Sequence, residues 1–313
     1  MLYKVFVDGQ EGTTGLRIHE YLSKRSDLEI LHIPAENRKN LDTRRQFLNE
    51  ADLVFLCLPD QAAREAVALI DNEKTRVIDA STAHRTFWTY GFPEMNKRQR
   101  SLIEESRRVS VPGCHATGFM AAIYPLAEQG IVDRAAGITC QSITGYSGGG
   151  KSLIQKFEQY ESQKARVPKP YALKLLHKHL PEMQKIPGLL QPPVFLPVVA
   201  DFYKGMAVSV PVTRQMMKKA TSAKELVEFY REYYAGEKFI RVMPFGSEDS
   251  FVDGFFDVEG CNESNRLDLF VFGHDEQVLV VSRLDNLGKG ASGAAIQNMN
   301  IMLGIAEGMG LQA

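Results

Sequence analysis

Three evenly spaced glycines constrain this chain more than any other feature. Gly9, Gly12 and Gly15 form a G-x-x-G-x-x-G run. It lies between an apolar stretch at 2–8 (LYKVFVD) and a stretch at 16–23 that reads as a helix through Leu16, Ile18 and Leu22. Glycine lets a backbone turn tightly and approach a pyrophosphate, and the helix that follows presents unpaired N–H groups and a positive dipole end to that anion. The run points to a dinucleotide-binding βα turn, with Gly9, Gly12, Thr13, Thr14 and Gly15 as cofactor contacts. A plain strand–turn–helix junction could use the same residues, since the spacing departs from the commoner G-x-G-x-x-G. Its place in the first turn of an alternating pattern favours the nucleotide reading.

That pattern continues. Residues 28–33 read as a second strand and 51–58 (ADLVFLCL) as a strand buried on both faces. Residues 61–70 read as a helix and 76–80 as a further strand. Strands alternating with helices predict an α/β, Rossmann-type doubly wound domain. Beyond 109 the pattern changes. A short strand at 109–111 leads into Pro112-Gly113-Cys114 and a helix over 115–129. A strand at 138–144, a glycine-rich loop at 145–150 and a helix at 152–160 follow. The Pro- and Lys-rich stretch 164–193 reads as loop with one short helix. Strand candidates at 205–212, 239–242, 267–273 and 277–284 predict an α+β domain with a mainly antiparallel sheet. A Gly/Ala-rich helix spans 290–308.

At 313 residues the chain has room for about two domains. A formal net charge of −1 gives no reason to expect nucleic acid or an anionic membrane as partner. No stretch approaches the roughly 18 apolar residues of a spanning helix. Residues 1–8 lack the basic start and cleavage site of a signal peptide. The four cysteines form neither a CxxC pair nor a metal-ligand spacing, so no metal is expected and a reducing cytoplasm fits best. Cys57 and Cys140 lie in apolar runs and read as core. Cys261, in Glu-Gly-Cys-Asn-Glu, reads as an exposed loop thiol.

Cys114 differs. Pro112 and Gly113 end a strand, and the helix starts at or just after the thiol. A helix N-terminus favours thiolate, and its free N–H groups can stabilise an oxyanion. A small residue at a tight turn is the rival reading. A nucleophilic cysteine needs an acid/base partner. His177 and His179, two residues apart with Glu182 close behind, are the candidates; two surface histidines are the alternative. For the cofactor, Arg38 and Lys39 could hold the 2′-phosphate of NADP(H), whereas Glu36 beside them argues for NAD. Residues 145–152 (GYSGGGKS) also match a P-loop, which keeps a nucleotide triphosphatase in play.

With these residues in view, the chain resembles the shorter N-acetyl-gamma-glutamyl-phosphate reductases, which belong with the semialdehyde dehydrogenases. The resemblance runs over nearly the whole chain. It is carried by Val-Pro-Gly-Cys-His-Ala-Thr-Gly around Cys114, by residues 285–300 (DNLGKGASGAAIQNMN), by 79–85 (DASTAHR), and by the Gly145 and His177–Glu182 stretches. It implies an NADPH-dependent reduction of an acyl phosphate in arginine biosynthesis, through a thioester on Cys114. It implies a division into 1–113 with 286–313, and 114–285 as a catalytic and oligomerisation domain. Ser81, Thr82, Asn286, Gly288 and Gly290 would lie near the cofactor. Arg85, Ser147 and Gly148 would face substrate, and the P-loop match would be coincidental. His179 ranks before His177 as acid/base. Longer members carry a histidine where this chain has Val198. A homo-oligomer, dimer or tetramer, is expected. The remaining alternatives are an aspartyl-phosphate-type semialdehyde dehydrogenase and a non-catalytic redox sensor.

Overall fold

The computed structural model describes residues 2–160, 166–219 and 221–313. The start of the Pro- and Lys-rich stretch, at Lys164 and Ala165, lies outside the described residues. The chain forms two compact units, one of residues 1–93, 98–112 and 291–311, the other of 94–97, 113–290 and 312–313.

The first unit contains β1 (Tyr3–Asp8), α1 (Thr13–Ser23), β2 (Leu28–Leu31), α2 (Leu41–Glu50), β3 (Leu53–Leu56), α3 (Asp60–Ala68), β4 (Arg76–Asp79), β5 (Thr89–Tyr90), α4 (Gln99–Glu105) and β6 (Arg108–Ser110). Six strands pair in parallel in the order β2-β1-β3-β4-β6-β5. This is the doubly wound sheet that the alternation predicts. All four residues of β3 are buried, as strands covered on both faces require. One face is filled by Val5, Val7, Ile18, Phe55 and Ile78 together with Ala295, Ile296, Met299 and Met302 of the C-terminal helix Gly293–Met302. The other is filled by Phe6, Leu48, Val54, Leu56, Ala63 and Ala66. Helix α2 escaped the sequence reading because its sequence, LDTRRQFLNE, buries only Arg44 and Leu48; an Asn40 side chain accepting from the Thr43 N–H marks its start.

The second unit contains α5 (Cys114–Glu128), β7 (Thr139–Gly145), α6 (Gly150–Glu158), β8 (Lys169–Pro170), α7 (Leu180–Lys185), β9 (Val194–Ala200), β10 (Met206–Thr213), α8 (Ala223–Tyr233), β11 (Ile240–Val242), β12 (Phe251–Val252), β13 (Phe255–Phe256), β14 (Leu267–His274) and β15 (Gln277–Leu284). Its seven-stranded sheet runs β11-β14-β15-β10-β7-β9-β8. The β7–β9 and β11–β14 pairs are parallel and the other pairs antiparallel, so the sheet is mixed but mainly antiparallel. Helix α5 is buried along nearly its whole length and lies on this sheet. A Cβ on Gly118 would reach 2.6 Å from Val208, and Ser282 donates a 2.8 Å hydrogen bond to the Gly118 carbonyl.

Strand β9 and helix α8 were not read from sequence. In β9, Pro197 masks the alternation of Phe195, Pro197 and Val199 inward; α8 is announced by a Ser222–Glu225 capping box. The exposed-thiol expectation for Cys261 is wrong. Its thiol is buried beside Asp268, and burial pushes its pKa up to about 11. Its sequence neighbours are polar, but the chain folds it inward against the Asp268 cluster.

Candidate active site

In the first unit the glycine run makes the junction that the sequence predicts. Gly9 has φ of +90°, and a Cβ there would collide with the Cys57 carbonyl; one on Gly15 would fall 2.9 Å from the Gln10 Cα. Only glycine fits where the loop packs so closely. Helix α1 begins after Gly12 with no side chain capping its amides, so the N–H groups of its first turn, with Thr13 and Thr14, are open to an anion. Arg38 reaches back to this loop and pairs with Glu11. Asp8, at the end of β1, is held by a buried 2.7 Å ion pair with Arg44.

The loop after β4 is organised around Asp79. Its carboxylate accepts from the Ser81 N–H at 2.9 Å and the Ser81 hydroxyl at 2.8 Å, and it holds His84 Nδ1 at 2.6 Å. Thr82 is fixed through both its N–H and its hydroxyl by Asp60. Arg85 is buried and donates to the Val111 carbonyl at 2.9 Å and the Ala80 carbonyl at 3.3 Å, so part of its fork braces the loop itself.

In the second unit Cys114 is the first residue of α5, a helix of 15 residues capped by Gly113. Glu182, on α7, accepts from the Gly113 N–H at 3.2 and 3.3 Å, which ties its carboxylate to the turn that carries the thiol. His177 and His179 are brought together, their ring centroids 4.6 Å apart. His179 is buried, His177 half-buried. The His177 Nδ1 accepts from the His179 backbone N–H at 3.1 Å, a bond that opposes protonation of that nitrogen.

His115 was missed as a site residue. Its ring lies 5.6 Å from His177 and 5.5 Å from His179. Its Nδ1 meets the Ser142 hydroxyl at 2.8 Å and its Nε2 the Tyr171 hydroxyl at 2.9 Å. Burial, then the electrostatic influence of His177 and Lys178, pushes its pKa down to about 3, so it is neutral in the working range. Burial and the Cys114 thiolate push the Tyr171 phenol up, which keeps it protonated. Position next to the cysteine was the one available signal for His115; Ser142 and Tyr171 had none.

Of the remaining expected residues in this unit, Asn286, Ser147 and Gly148 pack together and Gly290 lies against Cys114. The Asn286 side chain accepts from the Gly205 N–H at 2.7 Å and donates to the Ser147 hydroxyl at 3.0 Å. A Cβ on Gly148 would sit 3.4 Å from that same amide, and one on Gly288 would strike the Ser264 carbonyl. Gly290 packs directly on Cys114: a Cβ there would lie 2.8 Å from that of the cysteine. The Gly145, Tyr146 and Ser147 N–H groups, the first three of the P-loop motif, donate to the carbonyls of Gly205, Phe202 and Tyr203 at 2.9–3.0 Å, so the start of the loop is tied to the neighbouring backbone. Among the described residues no cluster of three or more His, Cys, Asp or Glu could hold a metal ion.

Residues 4–103 match the semialdehyde dehydrogenase NAD binding domain, and residues 114–286 match the semialdehyde dehydrogenase dimerisation domain. N-acetyl-gamma-glutamyl-phosphate reductase 2 of Nostoc sp. is 47% identical, with 98% of this chain and 99% of the relative covered. This chain belongs to the N-acetyl-gamma-glutamyl-phosphate reductases. The reductase 2 of Pseudomonas putida is 43% identical, with 98% of both chains covered. The fold of these reductases is shared more widely: an aspartate semialdehyde dehydrogenase II from Vibrio cholerae superposes with a TM-score of 0.71 over 97% of this chain and 98% of that one, at 14% identity. Membership makes the chain an oxidoreductase of the semialdehyde dehydrogenase kind with a nicotinamide-binding first unit. No helix among the described residues is long and apolar enough to cross a membrane.

Proposed function

We propose that this enzyme reduces N-acetyl-L-glutamyl 5-phosphate to N-acetyl-L-glutamate 5-semialdehyde, with NADPH as reductant and a thioester on Cys114 as intermediate. The observation that carries the reading is Cys114 at the first position of α5 with Glu182 holding the turn before it and the histidines packed together on the same unit. The Cys114 thiolate attacks the acyl carbon; the C–S bond forms and the C–O bond to phosphate breaks. NADPH, held by the Gly9–Gly15 loop and the opening of α1, would supply the hydride, two electrons with one hydrogen, that reduces the thioester to the aldehyde. The free N–H groups opening α5 stabilise the oxyanion. His179 takes the thiol proton at the outset and returns it as sulfur departs. His179 is preferred because the His177 Nδ1 is occupied by a backbone donor. His179→Gln should lower kcat roughly 10²–10⁴-fold and His177→Gln far less; steady-state kinetics giving the opposite ranking would transfer the role to His177.

The open amides of α1 and the close-packed Gly9 loop fit a dinucleotide pyrophosphate, and Arg38 beside that loop fits a 2′-phosphate. The first-unit contacts would be Gly9, Gly12, Thr13, Thr14, Gly15, Arg38, Ser81 and Thr82. Arg38→Ser should raise Kd for NADPH about tenfold or more, the scale of a lost charge-assisted hydrogen bond, and leave that for NADH unchanged. Equal loss for both cofactors by fluorescence titration would remove the 2′-phosphate role. Arg85, Ser147 and Gly148 are assigned to substrate.

We read the enzyme as a homo-oligomer, dimer or tetramer. The dimerisation-domain match and the exposed Ile143, Val194 and Leu196 on β7 and β9 support this. Four free cysteines suit a reducing cytoplasm. The deciding assay runs the reaction backward, with N-acetylglutamate semialdehyde, phosphate and NADP, monitoring NADPH formation. A preference for aspartate semialdehyde in the same assay would overturn the substrate assignment.

A further inference from the structure

Lys289 and Glu94 form an ion pair whose side chains are both wholly buried, Nζ to Oε1 2.7 Å, with the ammonium 5.6 Å from the centre of the Phe239 ring. Both ends belong to the second unit. Burying two ions carries a large desolvation cost, and apolar replacements of similar size are often neutral or stabilising. Stability alone therefore does not account for the pair. What it grips is residues 288–292, wound as a π-helical turn, a rare form that recurs at functional sites. The residue after Lys289 is Gly290, whose backbone forms a wall against Cys114 so close that a Cβ would stand 2.8 Å from the Cys114 Cβ and 3.3 Å from its Cα. On its other side the turn is fixed by Asp285. That carboxylate accepts from the Leu287 and Gly288 N–H groups at 2.8 and 3.1 Å, and the Asp285 carbonyl accepts from the Gly290 N–H at 3.0 Å.

We infer that the Lys289–Glu94 pair is a positioning device for the nucleophile: it clamps the π turn so that the Gly290 backbone confines the Cys114 side chain to its reactive rotamer. The inference rests on Cys114 being the nucleophile, but not on the identity of the acyl phosphate.

The test uses the full chain and reads the thiol directly, through the rate of Cys114 alkylation by iodoacetamide from pH 6 to 9, with peptide mapping to assign the site. Alkylation needs no substrate, so a wrong substrate assignment would leave this comparison intact. Glu94→Gln with Lys289→Met removes both charges together and avoids stranding one. This double variant should bind NADPH like the parent, keep KM within about twofold, and lose about 10–100-fold in kcat, the scale of an ångström-level misplacement. Its alkylation rate should change, and its alkylation–pH profile should move. Glu94→Asp keeps the pair but shortens its reach by one methylene, and should shift the same readouts in the same direction by a smaller factor. Gly290→Ala, which pushes on the wall itself, should reproduce the kcat loss. An alkylation profile and kcat unchanged in both Glu94 variants would overturn the inference. So would a double variant that fails to fold, because the pair would then be holding the unit together rather than setting its turn.

Discussion

Replacing Cys114 with serine is expected to lower turnover roughly 10⁴–10⁶-fold, the scale seen when a covalent nucleophile is removed from an otherwise intact site. The substitution is nearly isosteric at the first position of α5, so the helix start and the Glu182 bond to the Gly113 N–H remain. What is lost is the thiolate. A hydroxyl remains protonated where the helix terminus can hold a thiol ionised, so no thioester forms. NADPH affinity should stay near the parent value, since the open amides of α1 and Arg38 belong to the other unit. Single-turnover kinetics with the acyl phosphate, beside a cofactor titration, separate the two effects. Serine-variant turnover within tenfold of the parent would sink covalent catalysis at this residue.

The largest stability effect is expected at Asp268. This fully buried carboxylate faces Arg241 across the β11–β14 pair and Arg283 across the β14–β15 pair. Arg241 meets it at 3.0 and 2.8 Å, Arg266 at 2.9 Å and Arg283 at 2.9 Å. Asp268→Ala takes from Arg283, itself buried, its 2.9 Å carboxylate partner and leaves only the Asp257 carboxylate at 3.6 Å, a loss of about 3–5 kcal/mol. For a unit of this size that is a fall of roughly 6–20 °C in Tm. Burial would raise the Asp268 pKa, but the hydrogen bonds from Arg241 and Arg283 and the charges of Arg266 and Arg241 outweigh it and hold the group below its ordinary value. A depressed folded pKa contributes stability that is fully present above the unfolded value of about 3.9 and lost as pH falls through the folded one. The gap between parent and variant should therefore be constant from pH 8 to 5 and narrow below about pH 4. Calorimetry at several pH values would show it. A gap that widens on acidification would reverse the assigned sign.

Much of the fold could be read from residue patterns because the relevant physics is local. The β1–glycine–α1 junction and the buried run of β3 announce themselves through close approach and two-sided burial. The turn at Cys114 is equally legible, since Pro and Gly end the strand where the helix begins. Other features depend on partners distant in sequence. Cys261 reads as exposed from its polar neighbours, yet Asp268 and its arginines draw the loop inward. The His115–Tyr171–Ser142 chain joins residues 27 and 56 positions apart. No periodicity marks Tyr171 or Ser142 as belonging to a site. Residues 145–152 mark the opposite limit: the P-loop motif is present, but the amides of 145–147 are taken up by carbonyls from 202–205, and the chain belongs to a reductase family.

The first unit is assembled from three separate stretches of chain, the last of them the C-terminal helix. On the ribosome this imposes an order. By the time residue 290 emerges, all six parallel strands have been synthesised, yet the face bearing Val5, Val7 and Ile78 still lacks Ala295, Ile296, Met299 and Met302. The second unit has by then been translated in nearly its full length. Vectorial synthesis thus delivers residues 113–290 before the nucleotide-binding unit can close, and leaves an apolar sheet face waiting for the helix after residue 290. Synthesis of residues 291–311, rather than domain order along the message, is the event that completes the first unit.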